Sequence, residues 1–208
     1  MFELNIADVH IPIMDGKLGI ALSGGADSSL LLYILMTNTT AKLEIFTYAK
    51  NTNYRINALA ATEVIEKCIQ LTGNNNVEHY VRYENVYNRD LFFQRPIEYI
   101  DNNKITYMYT AVTANPPRDI ADSFLGKEEN SQHDKRNSEV QRPIIDGNWI
   151  TPFYNINKKK IAEMYNVLGI RETLFPLTFS CEGVSKPGVY HHCNNCWWCK
   201  EREWGFNI

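Results

Sequence analysis

Apolar residues in the first half of this chain gather in short unbroken runs, and most runs lead into apolar residues at helical spacing. Leu18–Leu22 reads as a buried strand. It breaks into Ser23-Gly24-Gly25, and Asp27-Ser28-Ser29 then opens an apolar helix over Leu30–Met36. Leu43–Ala49, rich in β-formers, predicts a second strand. Ile56, Leu59, Ala60, Val64, Cys68 and Leu71 fall at helical spacing, with Gly73 as the stop. Val77–Tyr83 predicts a third strand. Alternating strand and helix implies parallel pairing through crossovers, hence an α/β fold with a doubly wound parallel sheet. In such a sheet a ligand sits at the carboxyl ends of the strands, which is where Ser23–Ser28 falls.

The pattern is less regular further on. Residues 1–17 read as a short lead-in with an edge strand near Phe2–Ile6. Tyr87–Tyr99 predicts a helix interrupted before Pro96, and Ile105–Thr113 a fourth buried strand. Pro116 cannot donate to a ladder, so that strand ends at Ala114-Asn115-Pro116-Pro117. Asn115 and Arg118 would then lie at the sheet's carboxyl edge, either touching substrate or forming a solvated turn. Residues 119–142 are strongly polar and read as a lid or as a solvated stretch, with Arg118, Lys127, Lys135 and Arg136 as its candidate phosphate contacts. Ile161, Met164, Tyr165 and Leu168 mark a helix capped by Asn157 and stopped by Gly169. Lys158, Lys159 and Lys160 in its first turns oppose the helix dipole, so either an anion lies nearby or they point into water.

Composition narrows the class. The chain has 208 residues, enough for one domain or one domain with an appended module. A net charge of −3 gives no basic surface for nucleic acid or membrane. No run approaches the roughly 18 apolar residues of a membrane span, and no basic-then-apolar leader opens the chain, so the expected location is cytoplasmic. Four of the five cysteines crowd into 181–199, which in a reducing compartment suggests metal rather than disulfides. The fifth, Cys68, lies on an apolar helix face and reads as a small buried hydrophobe.

Two stretches carry chemistry. At Ser23-Gly24-Gly25-Ala26-Asp27-Ser28-Ser29, paired glycines let the backbone approach a ligand closely, and the helix N-terminus behind them favours an anion. Ser23, Ser28 and Ser29 supply hydroxyls, while Asp27 can cap the helix or hold magnesium. No Gly-x4-Gly-Lys-Ser/Thr pattern is present. At the other end, Cys181, Cys193, Cys196 and Cys199 offer four thiolates, which suit a closed structural zinc site. An iron–sulfur cluster fits the x2 spacing too, but the Cys-Pro that often follows bacterial cluster motifs is missing. His191 and His192 are alternative ligands. Trp197, Trp198, Trp204 and Phe206 are expected to pack this knuckle against the rest. The expected division is therefore 1–178 for the phosphate-binding unit and 179–208 for the metal module.

The hexapeptide Ser23–Ser28 resembles the pyrophosphate loop (PP-loop) of the N-type ATP pyrophosphatases. Together with Thr151-Pro152 through Lys158-Lys159-Lys160-Ile161 to Leu168-Gly169-Ile170, and Phe179-Ser180-Cys181 with Cys193, Cys196 and Cys199, the chain resembles the 7-cyano-7-deazaguanine synthase family. The resemblance implies an adenine nucleotide alpha hydrolase-like fold, structural zinc on the four cysteines, and ATP with magnesium at the loop. It implies a ligase that converts 7-carboxy-7-deazaguanine and ammonia to the nitrile through an acyl adenylate, releasing AMP and pyrophosphate. On that reading the loop binds phosphates, Asp27 serves magnesium or the loop geometry, and Lys158 or Lys160 meets developing negative charge. Nucleic acid is not expected as a direct partner, and a homodimer is left open. The chain departs from the family where Ala114-Asn115-Pro116-Pro117 replaces Pro-Gly-Arg-Asn, where Tyr48-Ala49-Lys50 replaces Tyr-Gly-Gln, and in a longer gap between the first two zinc cysteines. These departures bear on which acid is the substrate. The competing readings are another adenylating PP-loop enzyme, acting on a different carboxylate, a tRNA or a nucleotide, and a non-catalytic zinc-knuckle nucleotide-binding module. A thiolating or sulfonucleotide-reducing type would need a reactive cysteine outside the cluster.

Overall fold

The computed structural model describes residues 1–50, 56–84, 89–125, 143–181 and 192–208. Its elements in chain order are β1 (Phe2–Ile6), β2 (Val9–Ile13), β3 (Leu18–Ala21), α1 (Ala26–Asn38), β4 (Leu43–Lys50), α2 (Ile56–Thr72) and β5 (Val77–Glu84). They continue as α3 (Arg89–Asp101), β6 (Tyr107–Tyr109), α4 (Arg118–Leu125), β7 (Ile144–Asp146), β8 (Trp149–Thr151), α5 (Lys158–Val167) and α6 (Trp197–Phe206). A six-stranded sheet has the order β5-β4-β3-β6-β8-β7. All neighbours in it are parallel except β7, which pairs antiparallel with β8.

β3 is the pivot of this sheet. The chain leaves it towards β4 and β5 on one side and returns on the other as β6, so the crevice at its carboxyl end is a topological switch point. Period-2 alternation divides the side chains between two unequal faces. Leu18, Ile20, Leu43 and Ile45 join the main core with Leu30, Leu31, Val64, Ile161 and Phe206, drawn from α1, α2, α5 and α6. The opposite face carries a small cluster of Phe46, Ile105 and Met108, covered by Tyr99 and Ile100 of α3 and its end. Gly19 faces that cluster, and a Cβ there would lie 2.8 Å from Ile105 Cδ1 and 2.9 Å from Met108 Sδ. Cys68 is fully buried in the main core, which pushes its thiol pKa up to about 12.

Several expectations are corrected. The lead-in does not join the sheet; β1 and β2 pair antiparallel as a separate hairpin, and Val9, Ile11 and Ile13 enter the main core. Its two-residue turn has Ala7 at φ 51° and Asp8 at φ 61°, without the glycine that would have advertised it. α3 is not interrupted before Pro96 but runs through it. Edge-to-face contacts on both sides of the proline hold it, Phe92 with Tyr48 and Phe93 with Trp149 before it, and Tyr99 with Phe46 after it. The fourth strand is three residues long rather than Ile105–Thr113, because β3 offers it a partner only over Leu18–Ile20. Beyond it Ala114 N–H bonds to Ile156 C=O at 2.8 Å, and Thr113 and Asn115 are buried, so this is no solvated turn. The β7–β8 hairpin, turning at Gly147 (φ 55°), was not expected. The polar stretch begins as α4, while 126–142, with Lys127, Lys135 and Arg136, lies outside the described residues. Among those residues no helix is long and apolar enough to cross a membrane.

Candidate functional site

The loop between β3 and α1 is closed by its own side chains. Ser23 N–H donates to Ser28 Oγ (3.1 Å), the two serine hydroxyls meet at 3.0 Å, and Gly25 N–H donates to Ser23 Oγ (3.2 Å). Ser29 Oγ donates to Gly25 C=O at 2.7 Å, as does Ser28 Oγ at 3.3 Å. Gly24 sits at φ +80°, and a Cβ there would lie 2.7 Å from Asn57 C=O and 3.0 Å from Ala61 N. The position therefore needs glycine both for its dihedral angle and for space. Gly25 is the N-cap of α1, with no side-chain cap bond, so Asp27 lies in the first turn and is not the cap. The N–H groups of that turn have no partner within the helix and point with its dipole toward the switch point. The arrangement can take an anion.

Behind the loop lies a buried charge network. Lys158, the first residue of α5, is 4% exposed, and its ammonium pairs with Asp27. On its other side Glu201 Oε2 of α6 lies 3.8 Å away, in a residue that is 0% exposed. Asp27 Oδ1 is buried and makes no hydrogen bond among the described residues. Tyr165 of α5 donates to Ala26 C=O at 2.8 Å. Lys158 thus spans α1 and α6. Lys160 pairs instead with Glu163 at 2.7 Å on the outer side of α5, and Lys159 lies 5.0 Å over the Trp204 ring. Asn157 caps α5 as expected, accepting from Lys159 N–H at 3.1 Å.

The third part is the cysteine knuckle. The Sγ atoms of Cys181, Cys193, Cys196 and Cys199 all lie within 4.8 Å of one another. Cys193 and Cys199 are 3.9 Å apart. Four sulfurs at about 2.3 Å from one zinc would stand about 3.8 Å from each other, so the set fits a tetrahedral ion. Asn194 at φ 55° makes the turn, and Cys196 stands at the N-cap of α6 with Cys199 in the first turn. Backbone N–H groups reach sulfur from Cys193 to Cys181 (3.3 Å) and from Cys196 to Cys193 (3.2 Å). Burial opposes ionisation of Cys193, but donors from Asn195, Cys196 and Cys181 outweigh it and bring its pKa down to about 6. Thiolates are the metal-binding form. His192 Nδ1 lies 3.8 Å from Cys199 Sγ, beside the set. His191 lies outside the described residues.

Knuckle and loop touch. Phe179 N–H donates to Gly24 C=O at 2.7 Å, two residues before Cys181, and Ser180 Oγ would stand 3.2 Å from a Cβ on Gly25. Arg202 of α6 is buried, stacks 3.7 Å over Phe175, and donates to Thr178 Oγ1 (2.6 Å) and Phe175 C=O (3.1 Å). Burial lowers its pKa to about 10, so it remains a cation at neutral pH. Gly205 lets α6 close on α5, since a Cβ there would lie 2.6 Å from Lys158 Cβ. Trp197 and Phe206 are buried, whereas Trp198 and Trp204 are half-buried. Glu201 and Arg202 were missed in the sequence. The signal was the spacing Trp197, Glu201, Gly205, one helix face in steps of four.

No protein-family model matches this sequence, and no curated protein matches it. Among solved structures, an NMN synthetase from Francisella tularensis is similar in backbone, with a TM-score of 0.49 and 13% sequence identity. The similarity covers 92% of this chain and 84% of that one.

Proposed function

We propose that this chain is an ATP-dependent ligase that adenylates a carboxylate, with 7-carboxy-7-deazaguanine as acid and ammonia as nucleophile. The observation that carries the reading is the Ser23–Ser29 loop, closed by its own hydroxyls in front of the α1 N-terminus at the sheet's switch point. The β,γ-phosphates of ATP would lie on the backbone of Gly24 and Gly25, with Ser23, Ser28 and Ser29 around them. The substrate carboxylate attacks the α-phosphorus, the bond to the bridging oxygen breaks, and pyrophosphate leaves. Ammonia adds to the acyl adenylate, loses a proton, and expels AMP to give the amide. A second ATP takes the amide oxygen in the same way, and loss of AMP and a proton leaves the nitrile.

Such transfer depends on positioning and charge neutralisation. Asp27 Oδ1, buried and without a hydrogen bond among the described residues, suits a magnesium ion shared with substrate phosphates. That ion would neutralise phosphate charge. Lys158 holds the other oxygen of Asp27. Zinc on the four cysteines would be structural, because a set of four thiolates leaves no open position. In this reading 179–208 is a metal module packed on an ATP-binding unit, 1–178. Cys68 argues against a thiolating enzyme, since its thiol is fully buried and its pKa is raised.

The test mixes zinc-loaded protein with ATP, magnesium, ammonium and 7-carboxy-7-deazaguanine. Two AMP and two pyrophosphate per nitrile are expected. AMP and pyrophosphate without nitrile would keep the chemistry and move it to another acid. No acid-dependent AMP would sink the ligase and favour a binding module.

A further inference from the structure

The buried lysine at the start of α5 sits where an interior charge needs a reason. Lys158 meets Asp27, from the first turn of the helix behind the loop, and Glu201, two residues beyond the metal-set residue Cys199. A second link runs beside it: Gly24 C=O accepts from Phe179 N–H, two residues before Cys181. The four-cysteine set is thus joined to both sides of the loop, at Gly24 through the backbone and at Asp27 through Lys158. Breaking a buried ion pair by releasing one partner is strongly unfavourable. In the first turn of α6 the sulfur contacts of Cys196 and Cys199 stand beside the edge-to-face contact of Trp197 with Phe124, and Glu201 follows directly on that turn.

We propose that metal at the cysteine knuckle and an oligophosphate anion at the loop bind with positive coupling, transmitted by Lys158 and Glu201 as positioning residues and by the Phe179–Gly24 hydrogen bond. The proposal rests on reading the loop as an anion site. Metal holds α6, Glu201 and Asp27 keep Lys158 in place, and the α1 N-terminus is presented in its binding geometry. By linkage the effect is reciprocal, so an anion on the loop tightens metal binding by the same factor.

The experiment titrates cobalt(II) into metal-free full-length chain, following its thiolate absorption, with and without saturating inorganic pyrophosphate. Pyrophosphate binding to the cobalt-loaded chain is measured separately by calorimetry. Cobalt should bind about 10-fold more tightly with pyrophosphate present. In Glu201→Gln, which keeps the side-chain size, that factor should fall below about 2-fold, while Glu203→Gln, whose carboxylate pairs only with Lys200 among the described contacts, should keep it. If Glu201→Gln does not fold, Lys158→Met carries the same expectation. Pyrophosphate that binds without changing cobalt affinity overturns the coupling and leaves the anion site intact. Full coupling in Glu201→Gln overturns the route through Lys158. No pyrophosphate binding to the loaded chain overturns both the coupling and the anion reading.

Discussion

The Ser23–Ser29 loop and the Cys193–Cys199 knuckle are both tight turns feeding a helix N-terminus, yet they are held in opposite ways. The loop closes on itself through serine hydroxyls and backbone, and its Gly24 dihedral is enforced by Asn57 and Ala61. The knuckle has Asn194 for its turn and a few N–H···S contacts, and its four sulfurs converge on a centre that only a cation can fill. The first has the form of an anion site under the proposed reading. The second gathers four thiols that could hold a metal ion, at a helix start that itself favours thiolate.

Chelation should break the likeness most severely. Metal removal is expected to unwind α6, shifting the emission of Trp197, Trp198 and Trp204 to the red and lowering the melting temperature by about 10 °C or more, since structural zinc is a large term in folding. A chelated protein with unchanged fluorescence and melting would show that the knuckle is self-sufficient too. Gly24→Ala attacks the loop in turn. It combines a left-handed dihedral with a backbone clash and should cost about 1–3 kcal/mol, while abolishing pyrophosphate binding by calorimetry. Binding retained at the wild-type level would mean that the loop is not the anion site.

Arg202→Leu separates the two turns by removing the cation that ties α6 to Thr178 and Phe175. A loss of about 1–3 kcal/mol in denaturant unfolding is expected, because Thr178 Oγ1 loses its donor, while Phe175 C=O keeps those from Thr178. Near-wild-type stability would show that α6 is held by the metal and apolar packing alone. Asn157→Ala removes only one cap bond and should cost about 1 kcal/mol. Cys68 serves as the internal control. Burial raises its folded-state pKa to about 12, above that of a free thiol, so its contribution to stability is full below the free-thiol pKa and is lost as pH rises through 12. In metal-loaded native protein it should resist alkylation at pH 8 and react only on unfolding; rapid alkylation would revive a thiol mechanism.

The elements that the hydrophobic pattern carried most clearly are the most deeply buried ones. β3, β4 and α1 were readable as near-continuous apolar runs because they are covered on nearly every side, and α2 as a stripe because one face packs on the large core. The loop and the four cysteines were readable because their spacing expresses local chemistry. The Ala7-Asp8 turn hid its hairpin by taking positive φ without glycine, and Pro96 misled because aromatic contacts outweigh its missing hydrogen bond. An anion beside Lys158 was one of the two sequence readings, and Asp27 is that anion, but the part of Glu201 was not readable. The pair of Asp27 and Lys158 joins residues more than 130 positions apart through packing, and no local spacing encodes that.

The most direct test of the adenylation chemistry follows oxygen. With both carboxylate oxygens of 7-carboxy-7-deazaguanine labelled with ¹⁸O, attack on the α-phosphorus carries the label into AMP, one atom in each of the two AMP molecules formed per nitrile. Label in both AMP molecules and none in pyrophosphate is the expected result. Unlabelled AMP, or label appearing in inorganic phosphate alongside ADP, would contradict attack of the acid on the α-phosphorus.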